Sequence, residues 1–320
     1  MGPSSGIYRK PVVIYNPSAG RFSQSKGLLQ RALGSLAAEG FDAKPVATLG
    51  PNTAGSLAKR EIESGADLIL AAGGDGTINE VANGMVHTGV PMGILPAGTA
   101  NVLAREMRSR MQLDRIAREL RTAVPTRVAV GRLTAADHSS RYFLLMAGIG
   151  LDAQIVYDLN LGLKAMAGKL AYYLGGFAQI AKPLAPFCAM VDGQSYETTF
   201  ALVTRVRNYG GDFEIAREAS LLSNQFEVVL FNVKHSYQYV PYLLGMVLGQ
   251  VDRLPGVRVL PSRRITCEPL HGSPAPLQVD GEYAGRLPVT IEIVSDALTL
   301  LLPRKFLERE QGSLPVSATA

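Results

Sequence analysis

Apolar residues in the first third of the chain fall in short runs separated by amphipathic stretches. PVVIYNP (residues 11–17), residues 43–47, DLILAA (67–72) and MGILP (92–96) read as buried strands, the first ended by Asn-Pro. Between them, residues 24–39 have helical character. Asn52 or Thr53 can cap a helix running to about Ser64, and further helices are expected from Thr77 and from about Thr99. Buried strands alternating with helices predict an α/β domain with a parallel sheet.

The texture changes after about Arg127. RVAVGRL, RYFLLMAGI, PFCAMV, YETTFALVTRV, QFEVVLFNV, GVRVL, RRITCEP, APLQV and VTIEIV are strand-like. Asp192-Gly193 and Asp280-Gly281 lie between such runs, where type I′ hairpin turns belong. One long helical stretch, residues 158–182, interrupts them. The tail EQGSLPVSATA is small and polar and is expected to be disordered. The pattern predicts an α/β domain over 1–127, a mostly antiparallel β-rich domain over 128–296, and a disordered tail over 310–320.

Composition narrows this picture. A chain of 320 residues is long enough for two domains, and 47% hydrophobic content with 18% charge suits a folded globular protein. There is no repeat of solenoid or propeller period. The net charge of +5 permits anionic partners, among them nucleotides, nucleic acid or an anionic membrane surface. The two cysteines, Cys188 and Cys267, are far apart and lack metal-ligand spacing, which fits a reducing cytosol. No basic stretch followed by an apolar run opens the chain, so no signal peptide is expected. The apolar stretch 240–251 is shorter than the ~20 residues a spanning helix needs.

The chemistry-bearing residues gather at the ends of the predicted strands. LILAAGGDGTINEVANG (residues 68–84) leaves a strand through Gly73, Gly74, Asp75, Gly76 and Thr77 and enters a helix. Such a turn lets backbone N–H groups approach a phosphate, and the helix start adds unpaired N–H groups and a positive dipole end. A carboxylate there repels phosphate unless a cation lies between, so Asp75 points to Mg²⁺ carried with a nucleotide. NPSAG (16–20), Thr48 and LPAGTAN (95–101) offer small residues and hydroxyls at other strand ends. Turn formation alone accounts for any one of these segments, less easily for all four. There is no Walker sequence. Asn79 occupies the third glycine place of Gly-x-Gly-x-x-Gly, and the protein-kinase signatures are missing. Gly2 to Gly6 match a nucleophile-elbow pattern but follow no strand.

GGDGTINEVANG and LPAGTANVLARE, preceded by YNPSAG, resemble the diacylglycerol-kinase catalytic-domain family, which includes bacterial soluble lipid kinases, sphingosine kinases and ceramide kinases. The similarity runs from about Val12 to Pro303. It implies an ATP-binding α/β domain, a β-rich domain, an active site in the cleft between, and a last segment (297–309) that packs back on the first domain. It implies nucleotide contacts at Asn16, Ser18, Gly20, Thr48, Gly73, Gly74, Asp75, Gly76, Thr77, Asn79 and Thr99, with Asp75 toward the metal. It also marks VDGE, residues 279–282. An attacking alcohol must lose a proton, and a carboxylate can accept it. Asp280 and Glu282 are both candidates. Asp280-Gly281 is also a good hairpin turn, and Glu282 distinguishes it from Asp192-Gly193-Gln194.

The resemblance breaks at one place. Where relatives often carry Asp-Gly-Leu-Leu-Asp-Val, with the first Asp helping to hold a structural Mg²⁺ in some of them, this chain has Ser223-Asn224-Gln225-Phe226-Glu227-Val228. Serine lacks the charge that binds a hard cation. NYGGDFEIA (208–216) matches the family's glycine-rich segment. Residues 159–181 can wall an acyl pocket or pack on a sheet. Eight arginines between Arg105 and Arg132 can face anionic lipid or solvent.

The expected function is ATP- and Mg²⁺-dependent phosphorylation of a lipid hydroxyl, of diacylglycerol or a similar lipid alcohol, by a cytoplasmic enzyme peripheral at the membrane. The expected partner is the lipid substrate, not nucleic acid, with a homodimer among the allowed assemblies. The alternatives are an NAD kinase-like small-molecule kinase, disfavoured by Asn79-Glu80 and a missing Ser/Thr-Pro-Thr-Gly-Ser segment, and a non-catalytic nucleotide- or lipid-binding regulator.

Overall fold

The computed structural model describes residues 8–24, 27–109, 111–150, 153, 185–209, 213–232, 245, 250, 253–271 and 274–313. The helix expected over 158–182, most of the apolar stretch 240–251, part of the glycine-rich segment (210–212) and residues 2–6 lie outside the described residues. The chain forms two compact units, Met1–Ala129 with Ser295–Ala320, and Val130–Val294.

The first unit alternates β1 (Pro11–Tyr15), α1 (Gly20–Gln24), α2 (Leu28–Ala38), β2 (Lys44–Ala47), α3 (Ala54–Glu63), β3 (Leu68–Gly73), α4 (Asp75–Met85), β4 (Pro91–Pro96), α5 (Val102–Glu106) and α6 (Leu113–Thr122). Its parallel sheet runs β2-β1-β3-β4, and Thr299 and Leu300 of the long last strand, Val289–Leu302, add to β4 in parallel. All six residues of β3 are buried, because helices cover both faces of a parallel sheet and leave no polar side. Ile78, Val81, Ala82 and Met85 form the buried stripe of α4 at helical spacing.

The helix starts differ from the sequence expectation in instructive ways. Within 24–39, α2 begins only at Leu28, after Gly27, which adopts φ 88°. α4 begins at Asp75, not Thr77, since an acidic residue is favourable in the first turn. α5 begins at Val102, not near Thr99. Asn101, at φ 48°, closes a turn with Gly98 by bonds in both directions, 2.9 and 2.8 Å. Neither Asn52 nor Thr53 caps α3 with its side chain. The Glu80 carboxylate reaches across from α4 to accept the Asn52 and Ala54 N–H groups, at 2.9 and 3.0 Å. A final helix, α7 (Arg304–Ser313), buries Glu310, so the expected tail boundary at 310 falls inside a helix.

The elements traced among the described residues of the second unit are strands. β5 (Val124–Ala135) leads in, followed by β6 (Ser140–Phe143), β7 (Met146–Gly150), β8 (Phe187–Val191), β9 (Gln194–Thr198) and β10 (Phe200–Thr204). After a two-residue pair, β11 (Asn208–Tyr209) with β12 (Phe213–Glu214), come β13 (Phe226–Phe231), β14 (Val257–Ser262), β15 (Arg264–Pro269), β16 (Pro276–Val279), β17 (Glu282–Arg286) and β18 (Val289–Leu302). One antiparallel sheet runs β14-β13-β10-β7-β16-β17. The start of β18 pairs with β15, then β8 and β9. Alternate residues from both, such as Phe187, Ala189 and Val191 with Ala201, Val203, Val228 and Leu230, share one core.

Two apolar runs that read as single strands are bent. Leu144-Leu145 separates β6 from β7, and Thr199 separates β9 from β10, so each run serves two sets of partners. Both predicted Asp-Gly turns are present with positive φ at both residues, 48° and 82° at Asp192-Gly193 and 48° and 83° at Asp280-Gly281.

Two glycines give opposite expectations. A Cβ on Gly84 of α4 would run into the carbonyl of Gly55 in α3, whereas one on Gly34 of α2 meets nothing within 4 Å. Gly84→Ala should lower stability by about 1–3 kcal/mol through forced separation of the helices. Gly34→Ala should raise it by about 0.5–1 kcal/mol. Denaturant midpoints of the two variants check both signs.

Candidate functional site

The parallel order of the first unit places the carboxyl ends of β1, β2, β3 and β4 on one edge. β2 and β3 lie on opposite sides of β1, so the strand order reverses there, the place where open α/β sheets bind ligands. Asn16 follows β1 at this point. Its N–H donates to the Ala72 carbonyl, its Oδ1 accepts from Ser18 N–H at 2.9 Å, and its Nδ2 lies 3.4 Å from Thr77 Oγ1. Thr48 follows β2 and donates its N–H to Tyr15. The structure therefore brings Asn16, Ser18, Thr48 and the Gly73–Asn79 turn to one edge. Leu49, absent from the sequence-based set, is 87% exposed beside Thr48; a lone leucine in a turn carries no signal in sequence.

Two glycine turns touch on this edge. The Ala97 N–H donates to the Gly73 carbonyl at 2.8 Å, and Arg21 N–H, next to Gly20, donates to Ala97 at 3.1 Å. A Cβ on Gly98 would lie 2.5 Å from the Gly74 Cα, and one on Gly73 would lie 2.7 Å from Thr77 Cβ. Glycine is required at 98 because backbone packs on backbone, and at 73 because the Thr77 side chain fills the space. Thr99 is exposed between the turns, and Gly74, Asp75 and Gly76 are partly exposed.

Asp75 is bound from its far side. Its Oδ1 accepts from the Leu103 N–H at 3.4 Å, and the first N–H groups of α5 favour its charge, but burial outweighs them and holds its carboxyl above the ordinary aspartate range. The carboxylate thus ties the Gly73–Asn79 turn to α5. Asn79 is 1% exposed, and its Nδ2 has no hydrogen-bond partner among the described residues. A desolvated carboxylate beside an orphaned amide donor suits an ion and its anionic ligand.

In the second unit Asp280 and Glu282 flank Gly281 at the β16–β17 turn. Asp280 accepts three backbone N–H bonds, from Leu144 on Oδ2 at 3.0 Å and from Leu145 and Met146 on Oδ1 at 3.0 and 2.9 Å. It holds the β6–β7 bend. Glu282 is partly exposed and meets Arg141 Nη2 at 2.5 Å.

The arginine-rich segment is not one face. Arg118 and Arg121 pair with Glu39, Arg132 pairs with Glu292 at 2.6 Å, and Arg110 lies outside the described residues. Arg108 and Arg115 instead line a cavity of about 680 Å³ with Lys305, Arg309, Met107 and Phe306. Among the described residues no helix is long and apolar enough to cross a membrane.

Comparison with known proteins accords with this arrangement. The diacylglycerol kinase catalytic domain matches residues 10–133, and the YegS C-terminal NAD kinase beta sandwich-like domain matches 146–302. A diacylglycerol kinase of Bacillus subtilis (strain 168) is 28% identical over 304 residues, 93% of this chain and 97% of that protein. One from Staphylococcus saprophyticus is 28% identical over 281 residues, 86% and 90% of the two chains. A crystal structure of a diacylglycerol kinase from Bacillus anthracis str. Sterne shares the fold, with a TM-score of 0.72 at 24% identity, covering 93% of this chain and 99% of that one.

Asp75 ionises at a cost to the folded state, because its folded pKa lies above its unfolded one. That group's stabilisation is complete at low pH and is lost as pH rises through the folded value. Asp75→Asn keeps an oxygen for Leu103 N–H and removes the charge. The variant should gain stability relative to the native protein as pH rises above about 4, the ordinary aspartate value. Thermal melts across that range check it; a variant less stable at neutral pH contradicts it.

Proposed function

Because the chain belongs to the diacylglycerol kinase catalytic-domain family, and is a kinase, we propose that it transfers the γ-phosphoryl group of ATP to the hydroxyl of diacylglycerol or a similar lipid alcohol. Membership in a kinase family implies ATP and a divalent metal, which we take to be Mg²⁺. The observation that carries this reading is the edge at the ends of β3 and β4, where two glycine turns in backbone contact leave N–H groups and the start of α4 available to phosphates.

In this reading Gly74, Gly76 and Thr77 bind the phosphates, Asn16 and Thr99 border them, and the exposed Leu49 packs against the base. Asp75 would hold Mg²⁺ with the acceptor positions that α5 leaves. When bound, the ion neutralises charge between the carboxylate and the phosphates. Asn79 Nδ2, buried without a partner among the described residues, orients an oxygen of the ligand. The acceptor hydroxyl loses its proton to Glu282. Asp280, accepting three backbone N–H bonds, serves to fix the turn that carries Glu282.

The lipid acceptor resides in a bilayer, so the protein works at a membrane surface. We assign docking to the cavity lined by Arg108, Arg115 and Lys305, whose charges complement anionic headgroups and whose Met107 and Phe306 give an apolar floor.

Transfer of labelled phosphate from ATP to a panel of lipid alcohols tests the activity, and diacylglycerol should be among the best acceptors. Asp75→Asn should reduce turnover at least ~100-fold. Glu282→Gln should reduce it ~100-fold or more while leaving ATP affinity unchanged. Full turnover in either variant removes that residue from the chemistry.

Activity on mixed vesicles should rise with anionic lipid and fall with salt. Replacing Arg108, Arg115 and Lys305 together with glutamine should flatten both responses and spare ATP affinity. If the triple variant keeps its full dependence on anionic lipid, docking lies elsewhere.

A further inference from the structure

Arg205, immediately after β10, is fully buried. Its backbone N–H donates to the Leu145 carbonyl at 2.9 Å, and its Nη2 donates to the Leu221 carbonyl at 2.7 Å and, at longer range, to Ser223 at 3.4 Å. Its Nε and Nη1 have no hydrogen-bond partner among the described residues. Burial pulls its pKa down to about 10, against the opposing pull of the Asp280 carboxylate, so it is charged at neutral pH. A buried cation persists only where carbonyl dipoles and an anion surround it. Here they are the 221 and 223 carbonyls and Asp280.

Those groups, backbone carbonyls and a nearby carboxylate, are also what a hard divalent ion takes as ligands. Ser223 stands where the family pattern has the metal-holding Asp. Among the described residues no cluster of three or more His, Cys, Asp or Glu could hold a metal. A structural divalent ion does not fit a corner that already contains a guanidinium and lacks the carboxylate.

We propose that Arg205 is the resident cation of this corner. Its tethered guanidinium takes the place of a structural divalent ion, fastening the 221–223 loop to the β6–β7 bend that Asp280 holds. Two links meet at Arg205: its guanidinium holds the Leu221 and Ser223 carbonyls with the Asp280 carboxylate as counter-charge, and its backbone N–H holds the carbonyl of Leu145, whose own N–H donates to Asp280 Oδ1. Arg205 is then a positioning residue for the turn bearing Glu282, a consequence that rests on the reading of Glu282 above.

The test begins with the native protein without nucleotide. Its melting temperature should be the same in EDTA and in Mg²⁺; a marked fall in EDTA would overturn the proposal. Arg205→Ala combined with Ser223→Asp removes the tethered cation and restores the carboxylate. That double variant should gain a Mg²⁺-dependent rise in melting temperature, and an unchanged melt in Mg²⁺ counts against the proposal. Arg205→Met should lower kcat about tenfold or more with KM for ATP unchanged, and Arg205→Lys should recover most of that loss. A KM effect with kcat intact, or no recovery by lysine, contradicts positioning by charge. Full activity of Glu282→Gln would remove the base assignment alone, because the melting experiments do not depend on turnover.

Discussion

The contact between Gly74 and Gly98 is the constraint from which the candidate site follows. Backbone touches backbone there, and the Ala97 N–H donates to Gly73. Any side chain at Gly98 would push apart the turns after β3 and β4. With the turns together, the start of α4 and the start of α5 come close enough for one carboxylate, Asp75, to sit at the first turn of α4 and accept an N–H of α5. In the proposed reading the same closeness presents backbone donors to a phosphate without the lysine of a Walker sequence. Thr77 packs under Gly73, and Asn16 reaches Thr77 from β1, so three strands converge on one turn.

The second unit uses a carboxylate in another way. Asp280 closes a type I′ turn with its backbone and a sheet corner with its side chain. Those three charge-assisted bonds fasten it to the β6–β7 bend. The neighbouring Glu282 meets an arginine side chain instead, and a side-chain partner can move. The three backbone donors on Asp280, against the arginine side chain on Glu282, are what the proposed assignment of the base to Glu282 rests on.

Much of this was legible in the sequence because it depends on local pattern. The four strands of the first unit, the β-rich texture of the second and both Asp-Gly turns follow from periodicity and from the positive φ that Asp-Gly tolerates. What was hidden depends on contacts distant along the chain. Glu80 caps α3 in place of Asn52 or Thr53, and the bends at 144–145 and 199 arise because one apolar run serves two sheets. Asn101, held to Gly98, delays α5 beyond Thr99. Asp75 read as a lone carboxylate facing phosphate because its α5 partners lie 28 residues away. Buried Arg205 carried no signal at all, since an arginine in a strand-like run ordinarily points to solvent.

The central claim is that the paired glycine turns of the first unit hold the phosphates of the nucleotide. Backbone hydrogen exchange with and without Mg²⁺ and a non-hydrolysable ATP analogue tests it most directly. The account predicts new protection at amides of residues 73–79 and 97–101 and around residues 16–20. Unchanged exchange in those segments under saturating analogue, with protection appearing in other parts of the chain, would contradict it.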